Sequence, residues 1–424
     1  MSILWNNVPL RKLIKPNNKR NHPDLPLLSV VRDKGVIKRK LDRSDNHNVI
    51  PEDLSNYKVV CNGQFIINKM KAWQGSCGVS DFEGIVSPAY YVFDLDIDNP
   101  RFFNYAIRSR VYIDEFGRIS SGIRVNQWDL SLLRLKYIPF LLPPCAEQDQ
   151  IVCYLDWKVS QINKLINAKQ RQISLLQEQK RVVIEDVLTS ISAQTLLCRY
   201  LGTLQNGISE AGDFFTSGTP FVNYGDVYKN EILPCTVNGF AKANIKQQET
   251  YSVEKGDIFF TRTSETIDEV GLTAVCDKTI PQAVFSGFVI RFRPKKNVFH
   301  NQYAKYFFRS KRVRDFFTQE MNLVTRVSLG QTLLKSLPVL LPDLDTQCII
   351  STHLDEKCGR IDKIVGKLND KITLLAEYRT RLISDVVTGK LDVRGVVVPE
   401  YEAVEDVVEV DDIEESEEMG DVVG

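Results

Sequence analysis

Histidine, tryptophan and methionine are scarce in this chain of 424 residues, with four of each. His22, His47, His300 and His353 stand apart from one another, and a lone histidine is far more often structural or solvated than catalytic. None of the nine cysteines forms a C-x-x-C pair, and Cys145 with Cys153, or Cys348 with Cys358, lacks zinc-ligand partners at a useful spacing. The odd count suits reduced thiols in a cytoplasm. No segment approaches the roughly 18 consecutive apolar residues of a membrane span. The N-terminus MSILWNNVPLRKLIKPNNKR has no apolar core followed by a small-residue cleavage site, so no signal peptide is expected. No G-x-x-x-x-G-K-[ST] loop exists: Gly389-Lys390 and Gly366-Lys367 have no glycine five residues upstream. A G-x-G-x-x-G after a strand is missing too, as is an Asn/Asp-Pro-Pro-aromatic run. Asp94-x-Asp96-x-Asp98 leads into Asn99-Pro100 and reads as a turn and helix start, not a metal loop. The expectation is a chain without a catalytic centre, metal site or cofactor of its own.

What is present is a duplication. Residues 143–189 and 342–388 align without a gap at a constant offset of 199. Leu155, Asp156, Ile162, Ile173 and Asp186 recur as Leu354, Asp355, Ile361, Ile372 and Asp385, and Gln148 as Gln347. Each copy follows a globular segment, and such a tandem arrangement is suited to holding two things a fixed distance apart. In the first copy Leu155, Val159, Ile162, Ile166, Ile173, Leu176, Val183 and Val187 form a heptad stripe, interrupted by Lys169 and Lys180. Leu354, Ile361, Val365, Ile372, Leu375, Leu382 and Val386 repeat it. A helix from Glu147 to Ser190 would be roughly 65 Å long at ~1.5 Å per residue. A stripe of that length needs a partner, and the other copy is the nearest one. The fold class expected is α+β: two tandem recognition domains, each followed by a long helix. The two helices pair as an antiparallel coiled coil with pseudo-twofold symmetry. The expected boundaries are 1–142, 143–190, 191–341 and 342–395, with 396–424 an acidic, disordered tail.

The formal net charge of zero conceals an asymmetry. Residues 401–424 carry 11 acids and no Lys or Arg. Residues 1–142 hold 21 basic and 14 acidic groups, a net of +7, and 191–341 hold 18 and 13, a net of +5. The helices are nearly neutral. Positive charge thus lies on the two globular segments, the balance expected of two domains that face a polyanion.

The globular segments share a frame. Tyr57–Val60 and Gln64–Asn68 read as strands around the turn Asn62-Gly63, and Val86–Asp94 as another. Pro100–Tyr112 reads as a helix. Tyr251–Phe260, Phe285–Phe292 and Asn301–Phe317 repeat these in order. Each segment closes on a proline-marked strand, Tyr137–Pro144 and Leu337–Pro342, before its helix.

Nucleic-acid recognition is the chemistry left. Asn68, Lys69, Lys71, Trp73, Gln74 and Ser76 follow a strand and precede glycines, which predicts an exposed loop. Amides can bond adenine bidentately, and Lys or Arg can read guanine or hold phosphate. Thr261, Arg262, Thr263 and Ser264 stand at the corresponding place, with Arg262 aligned on Lys69. Gly35 and Gly225-Asp226, the latter beside Asn223 and Tyr224, mark a second loop pair. Arg124 and Arg326 precede the two terminal strands and are candidate phosphate contacts.

On these residues the chain resembles the specificity (S) subunit of type I restriction-modification systems, through about residue 395. The resemblance is carried by Lys69-Met70-x-Ala72-Trp73-x-Gly75-Ser76, by Gly84–Tyr90 and by Phe260–Thr266. It also rests on Pro143-Pro144-x-x-Glu147-Gln148, and on Leu374-Leu375-x-Glu377 running to Val387-Thr388-Gly389-Lys390. Asp345-Thr346-Gln347 departs from the family's Glu-Gln, and the acidic tail lies outside its pattern. The resemblance implies a non-enzymatic subunit whose two target-recognition domains each read half of a bipartite duplex DNA site. It implies paired helices that act as a ruler and dock two methyltransferase (M) subunits, with restriction (R) subunits joining. Gln148, Leu155, Ile162, Ile173, Gln347, Leu354, Ile361 and Ile372 are the docking candidates. S-adenosylmethionine, ATP and Mg are then expected on partner subunits, none on this chain, and the location is cytoplasmic, away from membranes. A recognition subunit of a fused bifunctional restriction-methylation enzyme, or a coiled-coil scaffold without a DNA role, are the alternatives.

Overall fold

The computed structural model describes residues 5–32, 34–39, 53–122, 128–209, 217–264, 269–320 and 327–404. The chain divides into two compact units: Met1–Arg171 with Leu368–Gly424, and Gln172–Lys367. Each therefore holds one half of both long helices, Cys145–Thr189 and Leu344–Val387.

The first unit is built on a four-stranded antiparallel sheet in the order Ile14–Asn17, Tyr90–Leu95, Phe65–Asn68, Cys77–Val79. Its inner face carries Phe65 and Phe93, fully buried with ring centroids 5.8 Å apart. Phe103 and Phe140 close over them, 5.1 Å apart. Each such ring withdrawn from water contributes about 2–3 kcal/mol. Two helices, Pro100–Ile107 and Arg110–Ile119, cover the sheet. The first starts where Asn99 accepts the Phe102 amide at 3.0 Å and Pro100 supplies a pre-set φ. The carboxylates read as a turn behave as one: Asp94 accepts from Asn17 and Gln64, and Asp96 pairs with Lys15 at 2.9 Å.

The second unit repeats the order: Gly202–Asn206, Val289–Pro294, Ile258–Thr261, Thr273–Val275, all antiparallel. The helix pair recurs as Asn301–Phe308 and Lys311–Glu320. Asn6–Pro9 pairs with Pro139–Leu142 in the first unit, and Gln194–Leu197 pairs with Pro338–Leu341 in the second.

Local readings change in four places. Lys58–Val60 and Phe65–Asn68 flank the Asn62-Gly63 turn but do not pair. The former bonds Gly84–Val86 and the latter joins the main sheet. The strand expected over Val86–Asp94 is two strands, broken at Ser87–Ala89. Phe285–Phe292 breaks likewise between Val284–Phe285 and Val289–Pro294. Each expected helix stops at an Arg-Ser pair, Arg108-Ser109 or Arg309-Ser310, before a second helix begins.

The heptad stripes are the adhesive of both units. In the first, Ile151, Leu155, Ile162 and Ile166 share one buried cluster with Leu382, Val386 and Val387. Arg379 donates to Asn163 Oδ1 at 2.6 Å. In the second, Ile350, Leu354 and Cys358 join Leu188, with Val183, Ile184 and Val187 against them. Lys180 Nζ there bonds Asp362 at 2.9 Å. A matched clasp ties each recognition frame to its helix: Tyr105 and Arg101 bond Asp156, and Tyr306 and Lys305 bond Asp355.

The tail departs from expectation over 396–404. This stretch is laid along the first long helix. Gln150 Nε2 donates to the Val393 and Val396 carbonyls at 3.0 and 2.7 Å. Ser160 bonds both the Glu402 carbonyl and the Val404 amide, and Asn163 bonds the Val404 carbonyl. The helix offers polar side chains, Ser160, Asn163 and Asn167, on a buried face, and the strap's backbone satisfies the first two. The rest of the acidic tail lies outside the described residues.

Candidate nucleic-acid interface

The Asn68–Ser76 segment is a half-buried turn tied to itself. Asn68 Oδ1 accepts the amides of Met70 and Lys71 at 2.9 and 3.2 Å, so its oxygen holds the loop. Residues Ala72–Gln74 form a short 3₁₀ turn that ends on Gly75 at φ 94°. A Cβ at Gly75 would also meet Ile113 Cδ1 at 2.8 Å, so only glycine fits. Trp73 donates to the Met70 carbonyl and lies 5.0 Å from the Trp128 ring. Lys71 and Gln74 are half-buried. Ser76 is buried, its backbone bonded to Asn68 and Lys71, and it is removed from the candidate contacts.

Lys69 lies 4.9 Å from the centre of the Tyr91 ring, and Lys58 lies 5.6 Å from the same ring. Lys58 is buried and donates to the Tyr90 carbonyl at 2.7 Å. Burial, then the charges of Lys69 and Arg20, pull its pKa down to about 8. Sequence reasoning missed Lys58, since it sits inside a strand run. A lysine between valine-rich neighbours was the available signal.

In the second unit Thr261 is fully buried, its hydroxyl donating to the Glu269 carbonyl and accepting the Leu272 amide. It closes the strand end and is removed from the candidate contacts. Arg262 remains at the surface edge, half-buried. Its amide donates to the Phe288 carbonyl at 2.9 Å, and its carbonyl accepts from Leu329 at 2.7 Å. Lys69 has the same two backbone bonds, to the Ala89 carbonyl and from Leu130, both 2.9 Å. Lys69 and Arg262 thus occupy one backbone station in two copies of the sheet. Thr263 and Ser264 form a two-residue strand with Val327–Ser328. Asn223 caps a short helix, its side chain and that of Asp226 bonding each other's amides. Tyr224 stacks on Tyr228 at 5.9 Å. Arg124 and Arg326 lie outside the described residues.

Several cations counted in the charge balance are spent inside. Arg293 grips Asp257 through two bonds of 2.6 Å, and Arg291 is buried against the Ser252 carbonyl and Gln205. Arg309 bonds the carbonyls of Thr273 and Asn230.

The docking candidates divide. Gln148, Leu155, Ile162, Gln347, Leu354 and Ile361 are buried within their own units, so their side chains hold the helices and offer no docking face. Gln148 donates to the Pro143 carbonyl, and Gln347 to those of Pro342 and Val298. Ile173 and Ile372 are partly exposed. Other apolar residues on the helices face outward in pairs: Leu165 with Ile364, and Leu175 with Leu374, each separated by the 199-residue offset.

Among the described residues no helix is long and apolar enough to cross a membrane, and no group of three or more His, Cys, Asp and Glu could hold a metal ion. The doubled sheet frame with a basic residue at one station, followed each time by a helix of over forty residues, defines a paired recognition module. Residues 205–374 match the family model of the type I restriction modification DNA specificity domain, and the chain is similar to type I specificity subunits. It is 22% identical over 335 residues to the type I restriction enzyme EcoKI specificity subunit of Escherichia coli (strain K12), covering 74% of this chain and 69% of that one. The StySPI specificity subunit of Salmonella potsdam is 21% identical over 330 residues, with the same two coverages. A solved chain, described for complex assembly and conformational transition of the type I R-M system, shares the fold. Its TM-score is 0.63 at 14% identity, over 91% of this chain and 98% of that one.

Proposed function

We propose that this non-catalytic subunit reads a bipartite duplex DNA site, one half with each recognition domain. The shared station of Lys69 and Arg262 carries the reading: one frame holds two different cations in two different settings. A common scaffold with unlike readers suits a split site whose halves differ. The domains are 1–142 and 191–341, with 143–190 and 342–395 as the spacer. Antiparallel pairing of the spacer helices is supported by their clasps. From Asn163–Arg379 to Lys180–Asp362, one number rises by 17 as the other falls by 17. The 199-residue offset also converts each pair into the other's positions, as pseudo-twofold symmetry requires.

Two methyltransferase subunits dock on the outward apolar pairs, and restriction subunits join them. Exposed Leu165, Ile364, Leu175 and Leu374 favour this, since apolar positions kept in both copies without internal burial suit one partner bound twice. S-adenosylmethionine, ATP and Mg belong to those partners, and the complex works in the cytoplasm. The test is genomic methylation in cells carrying Lys69→Ala or Arg262→Ala. Each variant should relax one half of the methylated motif and leave the other intact. Both halves relaxing together, or neither, would overturn the assignment.

A further inference from the structure

Phe288 has no explanation in the fold. It is 63% exposed, while Phe285, Val289 and Ile290 around it are fully buried. It is also held still. Its amide bonds Ser286 Oγ at 3.2 Å, its carbonyl accepts the Arg262 amide at 2.9 Å, and the preceding Gly287 amide bonds the Ile208 carbonyl at 2.6 Å. The Arg262 guanidinium donates to the Gly287 carbonyl at 3.2 Å. A phenyl ring kept in water on a rigid turn, beside a cation, forgoes burial that a polar residue would not need. The matching position in the first unit is Ala89, whose carbonyl takes the Lys69 amide. The aromatic is therefore a property of one reader and not of the frame.

We propose that Phe288 is a second specificity determinant beside Arg262, making apolar contact with a base of the second half-site. A thymine methyl or an opened base step is the chemistry that would receive it. The inference rests on the DNA-reading assignment above. Arg262 contributes charge and donor geometry, and the ring contributes discrimination by shape. A protein partner could also cover an exposed ring, but the guanidinium bonded to the same turn and the +5 charge of residues 191–341 favour a polyanion.

The test uses the full complex with its methyltransferase partner, and a duplex carrying the motif that the wild-type chain methylates in its host. Phe288→Ala should weaken binding about tenfold, as for loss of one base contact, and should degenerate the second half of the motif. Phe288→Leu, which keeps apolar bulk, should retain more of the preference. An unchanged motif with affinity within roughly twofold in Phe288→Ala overturns the proposal. So does a uniform loss of methylation at every site with the motif intact, which would mean the ring docks a protein. If Phe288→Ala melts lower than wild type, Phe288→Gln decides: wild-type melting with an unaltered motif would make the ring a structural prop, and wild-type melting with a degenerate second half would support the proposal. A wild-type chain that directs no split motif would instead refute the DNA-reading assignment itself.

Discussion

Gln347 makes three side-chain hydrogen bonds at the start of the second long helix, and its removal has a calculable effect. It is fully buried, accepts the His300 amide at 2.8 Å, and donates to the Val298 and Pro342 carbonyls at 3.0 and 2.8 Å. Gln347→Ala strands one amide and two carbonyls. Each buried group left unpaired costs about 1–3 kcal/mol, so a loss of roughly 3–9 kcal/mol is expected for the three. Gln148, its repeat counterpart, has one such bond, to the Pro143 carbonyl at 2.9 Å, and Gln148→Ala should cost about 1–2 kcal/mol. Urea titration of the full chain by far-UV circular dichroism measures both. Trp5, Trp73, Trp128 and Trp157 all belong to the first unit, so tryptophan emission follows that unit alone. Gln148→Ala should shift the emission midpoint, while Gln347→Ala should lower the dichroism midpoint by the larger amount. Equal losses, or a milder effect at Gln347, would show that these bonds do not set the helix starts.

Two further outcomes follow from buried charges. Lys58 titrates near 8 in the folded chain, below its unfolded value, so the unfolded state binds the extra proton above pH 8. Stability should therefore rise from about pH 8 to 10.5, and Lys58→Met should remove that rise; a wild-type curve flat over this interval would refute the assignment. Asp257, 1% exposed, is gripped by Arg293. Asp257→Asn should destabilise the second unit by about 3–5 kcal/mol, and a thermal midpoint unchanged within a degree would contradict that.

The helices were readable because their signal is periodic and doubled: a stripe such as Leu155–Ile162–Ile166 needs no tertiary context. The same doubling misled the search for docking residues. Repetition marked the core-forming Leu155 and Leu354 and the outward Leu175 and Leu374 alike, so identity between the copies did not separate buried positions from exposed ones. The strap over 396–404 left no pattern, because its carbonyls meet Gln150, Ser160 and Asn163 more than 240 residues away in sequence. Phe288 was hidden inside an apparent strand. Only the Ser286-Gly287 step, which breaks the apolar run, announced the turn that lifts it out. Thr261 failed as a contact because a small hydroxyl at a strand end satisfies backbone groups as readily as ligands, here the Glu269 carbonyl and the Leu272 amide, and Ser76 failed because it is buried.

The most direct test of the central claim is the methylation map of native DNA from host cells with and without this gene. A motif of two defined blocks separated by a fixed run of unspecified bases, lost when the gene is deleted, is the predicted result. A gene-dependent motif that is one unbroken block would contradict it.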